Sequence, residues 1–278
     1  MSTLYLVATP IGNLEDMSPR GLHTLRQVAL IAAEDTRVTR NLLTHFGIST
    51  ALVTYTDAYA RQKGARQSKV LEALAAGGDV ALVSDAGMPG VSDPGYELVQ
   101  AVLAAGHAVQ AIPGPSAVIT ALAASGLPTE RFLFVGFLPR KAAERRSLLA
   151  ELADEPATWL AFESPNRLTA ALADLLAVQG DRRVAVAREL SKRFEEIWRG
   201  SASEALAYFT ATSARGEVTL VVAGTGRARG AERWSEAQVR AALTLLAAEE
   251  VAPAARARVV AHLSHWPRSE VYALLKGE

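Results

Sequence analysis

Charged side chains meet sharp turns wherever certain apolar runs of this 278-residue chain end. Glu34-Asp35-Thr36-Arg37 closes one run, and Phe162-Glu163-Ser164-Pro165-Asn166-Arg167 closes another. A carboxylate in such a place can orient or remove a hydroxyl proton, and a guanidinium can hold a phosphate or a ribose. The plain structural account of the first group is a helix start with Asp35 or Thr36 as cap. The densest stretch is "VSDAGMPGVSDPG", residues 83–95. Glycines at 87, 90 and 95 permit positive φ and close approach of another group to the backbone. Asp85, at the strand's carboxyl end, can accept hydrogen bonds from a ribose or an amine. Asp93-Pro94 reads as a helix start with Asp93 as cap. That account leaves Ser84–Val91 unexplained, so this half is read as a ligand loop.

Two further segments follow strands in the same way: Thr9-Pro10-Ile11-Gly12-Asn13-Leu14 and Ile112-Pro113-Gly114-Pro115-Ser116-Ala117. Each alone marks a turn, and Ser116 can cap a helix. Three such loops at strand carboxyl ends form a pocket lined by backbone groups, where open α/β sheets bind ligands. It suits a neutral or zwitterionic ligand. No Gly-Lys-Ser/Thr phosphate loop occurs, and Gly224–Gly230 has the wrong spacing for a dinucleotide fingerprint. The chain has no cysteine, which excludes disulfides, zinc–thiolate sites and cysteine nucleophiles. His262-x-x-His265 lacks a carboxylate partner, so no metal is expected. Basic residues gather at Arg140, Lys141, Arg145 and Arg146, and again at Arg188, Lys192 and Arg193. Solvated helix faces commonly carry such groups.

These residues need elements to hold them. Apolar runs at Leu4–Thr9, Ala29–Glu34, Ala51–Thr56, Val80–Asp85 and Val109–Pro113 predict strands. Helical patterns lie between them at Pro19–Val28, Thr36–Phe46, Gln67–Ala76 and Tyr96–Ala105. That alternation predicts an α/β unit with a largely parallel sheet over residues 1–116. A second series over 117–224 has strands at Phe132–Phe137, Thr158–Glu163, Val184–Glu189, Glu196–Arg199 and Val218–Ala223. The connection between Val184–Glu189 and Glu196–Arg199 is too short for a crossover helix, so the second sheet is expected to be mixed. Residues 225–234 read as a linker. Three short helical patterns follow over 235–278, at Ser235–Ala248, Pro253–Leu263 and Pro267–Leu275, as in a helix-turn-helix unit.

Half the residues are apolar, and 29 basic side chains balance 29 acidic ones. Zero net charge argues against non-specific coating of nucleic acid. Leu4–Ala8 is too short, and lacks a basic flank, for a secretion signal. No run reaches the length of a membrane span. The expected location is the cytoplasm, without membrane or metal partners.

The segments "VATPIGNLEDMSPR", "AEDTR", "SDAGMPGVSDPG", "PGPSA", "FVGFLPRK", "FESPNRL" and "ARELSKRFEE" occur in this order. Together they resemble the bacterial 16S ribosomal RNA 2'-O-ribose methyltransferases of the tetrapyrrole methylase superfamily. The match spans roughly residues 3–224, and the tail resembles that family's helix-turn-helix appendage. The resemblance implies a two-domain α/β fold with a cleft, a homodimer, and S-adenosylmethionine as methyl donor. It implies transfer to the ribose of a decoding-centre cytidine, cytidine 1402, in the small ribosomal subunit. By motif position, the cofactor residues become Thr9, Pro10, Ser84, Asp85, Ala86, Gly87, Met88, Val91, Ser92, Pro115, Ser116 and Ala117, with Ser164 and Pro165. Asp85 falls at the aspartate of the superfamily's Gly-Asp-Pro motif, with Ser84 and Ala86 in place of its glycine and proline. Glu34, Asp35, Arg37 and Glu163 are expected around the acceptor hydroxyl, with Glu34 or Asp35 taking its proton. Arg140, Lys141, Arg145, Arg188, Lys192 and Arg193 are expected on RNA phosphates. Other members of the superfamily act on a tetrapyrrole or a protein residue. A metabolite-sensing nucleic-acid-binding regulator is the non-enzymatic alternative.

Overall fold

The computed structural model describes residues 2–56, 60–226, 234–249, 251–264 and 266–276. Residues 1–153 and 157–223 form one compact unit holding two five-stranded sheets. The first sheet contains β1 (Thr3–Val7), β2 (Leu30–Ala33), β3 (Leu52–Thr54), β4 (Val80–Val83) and β5 (Ala108–Ile112). Its order is β3-β2-β4-β1-β5, and every pairing is parallel. β4 is buried at all four positions, which is why it reads as an unbroken apolar run. The crossovers are α1 (Pro19–Gln27), α2 (Thr36–His45), α3 (Ala60–Ala75) and α4 (Tyr96–Ala104). α3 starts earlier than the apolar pattern suggests. It runs through Gly64, a residue that costs a helix roughly 1 kcal/mol.

Side chains cap α1 and α2. Ser18 Oγ accepts from the Gly21 N–H at 3.0 Å, with Pro19 in the first turn. Asp35 Oδ1 accepts from the Arg37 N–H at 2.8 Å. At α4 the cap is Gly95, with no side-chain cap bond, so the expected capping role of Asp93 does not hold. Gly95 has φ +145°, and a β-carbon there would come within 2.9 Å of Leu82 and 3.3 Å of Gly90 N. The loop closes on itself at these two glycines, which leaves Asp93 free of a helical duty.

The second sheet holds β6 (Phe132–Phe137), β7 (Thr158–Glu163), β8 (Arg183–Arg188), β9 (Glu196–Ser201) and β10 (Val218–Val222). Its order is β6-β7-β10-β8-β9. β6 and β7 are parallel and the other pairings antiparallel, so the sheet is mixed as expected. α5 (Ala117–Ser125), α6 (Ala142–Glu151), α7 (Pro165–Gln179) and α8 (Ala202–Thr212) accompany it. Val118, Ala121 and Leu122 of α5 pack with Leu160, Ala185, Ala187 and Val221 of this sheet. α5 therefore packs on the second sheet. Register along β6 breaks between Phe134 and Phe137, where Gly136 has φ +74°, and the bulge re-aims Phe137.

Asp154–Pro156 and 224–278 form the other unit. Its helices are α9 (Glu236–Ala248), α10 (Pro253–Ser264) and α11 (Arg268–Lys276). They share a small core of Val239, Leu243, Ala257, Val260 and Val271. Most of the linker predicted at 225–234, and His265 of the histidine pair, lie outside the described residues.

Candidate active site

Loops after β1, β4 and β5 converge because parallel strands deliver their carboxyl ends to one edge. Thr9 N donates to Gly87 O at 2.9 Å and Gly87 N to Thr9 O at 3.0 Å, stitching the first two loops together. Beside this stitch lies a cavity of about 320 Å³. Its first wall is Ala86, Gly87, Met88, Val91, Ser92 and Asp93. Ser116, Ala117 and Val118 form the second, at the start of α5, where Ser116 Oγ caps the helix by accepting from Ile119 N. Glu163, Ser164 and Pro165 close it from β7 and α7, with Gly216–Thr219 and the rings of Phe137 and Phe162 beyond.

The polar lining combines the carboxylates Asp93, Glu163 and Glu217 with the hydroxyls of Ser92, Ser116, Ser164 and Thr219, and no lysine or arginine lines it among the described residues. Glu163 is 2% exposed. Its Oε1 accepts from Ser164 N at 2.7 Å and pairs with Arg167, while Oε2 has no hydrogen-bond partner. A buried, unpartnered carboxylate oxygen at a cavity wall calls for a donor from a ligand. Glu163 is paired with Arg167 and Glu217 with Lys192, which leaves Asp93 as the lining acid without an ion pair among the described residues. Apolar walls with this one acid suit an organic molecule better than a phosphate.

Several expected cofactor residues hold the loops rather than line this cavity. Thr9 and Ser84 are buried; Thr9 Oγ1 donates to Ser84 O at 3.1 Å, and Ser84 Oγ lies 3.3 Å from Ala86 O and Gly87 O. Thr9, Pro10, Ser84 and Asp85 border a second hollow of about 250 Å³, shared with residues of α2. Pro115 faces a third.

Asp85 belongs to a carboxylate group at the ends of β2 and β4. Its Oδ1 accepts from Asp35 N at 3.1 Å, and its own N–H points to Glu34 Oε2 at 3.3 Å. Asp35 is fully engaged: it caps α2 and takes the Arg37 guanidinium through both oxygens, at 2.7–3.3 Å. Hydrogen bonds from Arg37 hold the Asp35 carboxyl down at about 2. Burial pushes Glu34 up, opposed by the Asp85 N–H and assisted by neighbouring negative charge. Asp93 is raised to about 6, by burial first and then by Glu34, with a hydrogen bond to Ser84 opposing and Asp85 adding to the rise. The sequence reading assigned Asp93 to capping and missed it at this site. Its signal was the second Ser-Asp of the loop, repeating Ser84-Asp85.

The expected RNA-facing cations divide. Arg145 is corrected: it is 5% exposed, and its Nε and Nη2 hold Asp174 Oδ2 at 2.8 and 2.5 Å. Charge density along the sequence suggested a surface group, but α6 turns this residue onto α7. Arg188 pairs with Glu196 across β8 and β9. Lys192 Nζ holds Glu189 at 2.9 Å and Glu217 at 3.1 Å. Arg140 and Arg193 are exposed without an ion pair among the described residues, and exposed Lys141 meets only Glu144 of its own helix turn.

Comparison with known proteins agrees with this architecture. Residues 3–206 match the Tetrapyrrole (Corrin/Porphyrin) Methylases family. A cobalt precorrin-4 methyltransferase structure aligns at TM-score 0.60 and 18% identity, over 80% of this chain and 94% of that one. A uroporphyrin-III-C-methyltransferase from Thermus thermophilus aligns at 0.55 and 19%, over 81% and 96%. Much higher identity links the chain to the protein named ribosomal RNA small subunit methyltransferase I. The Synechocystis protein is 46% identical over 99% of this chain and 97% of its own length. That of Pseudomonas aeruginosa is 48% identical over 89% and 87%. The chain therefore belongs to the tetrapyrrole methylase family, in the group formed by these small-subunit methyltransferase I proteins.

Proposed function

We propose that this protein transfers a methyl group from S-adenosylmethionine to the ribose 2'-hydroxyl of a decoding-centre cytidine in 16S ribosomal RNA, cytidine 1402. The observation that carries the reading is the near end-to-end match to ribosomal RNA small subunit methyltransferase I relatives, joined to a cavity with apolar walls and an unpartnered Glu163 Oε2. The donor supplies an electrophilic methyl group on a positively charged sulfur. The residues present fit it: Glu163 Oε2 can accept a donor hydrogen, and Asp93, without an ion pair among the described residues, puts an acidic group in the lining. Ala86, Met88, Ser116 and Ala117 line the cavity and would hold its polar ends in this reading. Met88, Val91, Phe137 and Phe162 shed water from the remaining surface. Fixing the reactants in a dry pocket supplies much of the acceleration of an in-line displacement.

Arg140, Lys141 and Arg193 are the cations left to meet RNA phosphates. The helical unit 235–278 gives a further RNA surface in this reading. A homodimer belongs to it too, supported by the outer edge of β6, where Phe132 and Leu133 are exposed; light scattering tests it.

The deciding experiment supplies labelled S-adenosylmethionine with small ribosomal subunits and, separately, with uroporphyrinogen. Label appearing in RNA, and mapped by mass spectrometry to a cytidine 2'-oxygen, supports the reading. Label in the tetrapyrrole alone overturns it.

A further inference from the structure

The carboxylate group at the ends of β2 and β4 adjoins the main cavity, but its members are not equally available. Asp35 is committed to the α2 N-terminus and to Arg37. Asp85 is tied to the Asp35 main chain, and Glu34 to that of Asp85. Neither Glu34, Asp35 nor Asp85 lines the 320 Å³ cavity, whereas Asp93 does. Asp93 has no capping duty. The residue before it, Ser92, sits at φ +62°, a conformation that a non-glycine residue holds only when its surroundings impose it. This places a half-buried carboxylate in the same cavity as Glu163, whose free oxygen marks the ligand position.

We propose that Asp93 is the catalytic proton acceptor for the ribose hydroxyl in the cavity, a role resting on the methyl-transfer reading above. The hydroxyl oxygen forms its bond to the methyl carbon as the carbon–sulfur bond breaks, its electron pair passing to sulfur and cancelling the positive charge. The hydroxyl proton passes to an Asp93 oxygen and is afterwards released to water. The groups around Asp93 support this. Glu34 and Asp85 repel its negative form, Ser84 hydrogen-bonds to it, and Arg37 is engaged by Asp35. Glu163 and Glu217, in the same cavity, are paired with Arg167 and Lys192, so Asp93 is the lining carboxylate without an ion pair among the described residues. A carboxyl raised to about 6 is a better base than an ordinary aspartate and is still ionised at neutral pH.

The test is Asp93→Asn, with Asp93→Glu as the conservative variant, in the full-length protein. Assays run at saturating S-adenosylmethionine and small subunits, with calorimetry and filter binding fixing those concentrations, separate the transfer rate from any loss of donor affinity. Single-turnover methyl transfer should fall on the order of 10²–10⁴-fold in the Asn variant and recover in part with Glu. The wild-type rate should rise with unit slope through about pH 6, and the Asn residual rate should be flat there. Carbon-13 shifts of labelled aspartate should report the same titration without turnover. A transfer rate in Asp93→Asn within about fivefold of wild type, or an acid limb that survives the substitution, overturns the proposal. So does a wild-type rate that is level through pH 6, a result independent of whether the variants fold. If wild type itself transfers no methyl to ribosomal RNA, the underlying reading falls instead.

Discussion

Gly12 and Lys192 are packed so closely that a β-carbon on Gly12 would clash with Lys192 Cγ and lie 3.0 Å from the Leu190 carbonyl oxygen. The lysine cannot swing away freely, because Glu189 and Glu217 hold its ammonium. Gly12 in the loop after β1 is thus bare to admit a side chain from the β8–β9 connection, not a ligand. Gly12→Ala is expected to cost about 1–3 kcal/mol by overpacking. Adding Lys192→Ala should recover part of that loss. Denaturant unfolding of the two single variants and the double variant measures the coupling.

Arg145 and Asp174 form a buried pair, with Arg146 on the other Asp174 oxygen at 2.7 Å. Burial alone would push Asp174 up, but hydrogen bonds from Arg146 and Arg145 outweigh it and hold the carboxyl below its usual range. The pair's contribution is therefore complete above the ordinary aspartate pKa and declines as pH falls below it. Asp174→Ala strands the Arg145 charge and should destabilise the protein by about 3–5 kcal/mol at neutral pH. Thermal melts at pH 7 and pH 3 should show the variant's deficit shrinking at the lower pH.

Asp93 has the opposite sign. Its folded-state carboxyl, near 6, lies above the ordinary 3.8, so between those values the native state binds the extra proton. Stability from this group is present below about pH 4 and is lost as pH rises through 6. Asp93→Asn should therefore gain stability relative to wild type between pH 4 and pH 7. Urea midpoints across that range check it; a gap that does not change with pH would contradict the assigned environment.

Charge on RNA should be read by the exposed cations alone. Replacing Arg140, Lys141 and Arg193 with alanine should weaken binding to small subunits and flatten its salt dependence. The expected change is about 0.7–0.9 in the log–log slope per lost phosphate contact. Replacing buried Arg145 with methionine should leave that slope unchanged. Filter binding at several salt concentrations separates the two.

Apolar alternation and turn chemistry made the strands of both sheets and the crossover helices of the first legible in the sequence, because strands buried on both faces must be continuous and apolar. The loops after β1, β4 and β5 could be named as one site for the same reason: parallel strands bring their carboxyl ends to a single edge. Spacing along the chain did not reveal which charges are spent on partners distant in sequence. Arg145 meets Asp174 29 positions away, and Asp35 meets Asp85 50 positions away. Nor could Ser92-Asp93-Pro94 be told from an ordinary helix start until Gly95 was seen to cap α4 unaided. The sequence by itself determined the elements, the converging loops and the family. Only the tertiary structure decided which carboxylates face the cavity, because burial and pairing depend on packing across the sheet rather than on neighbours along the chain.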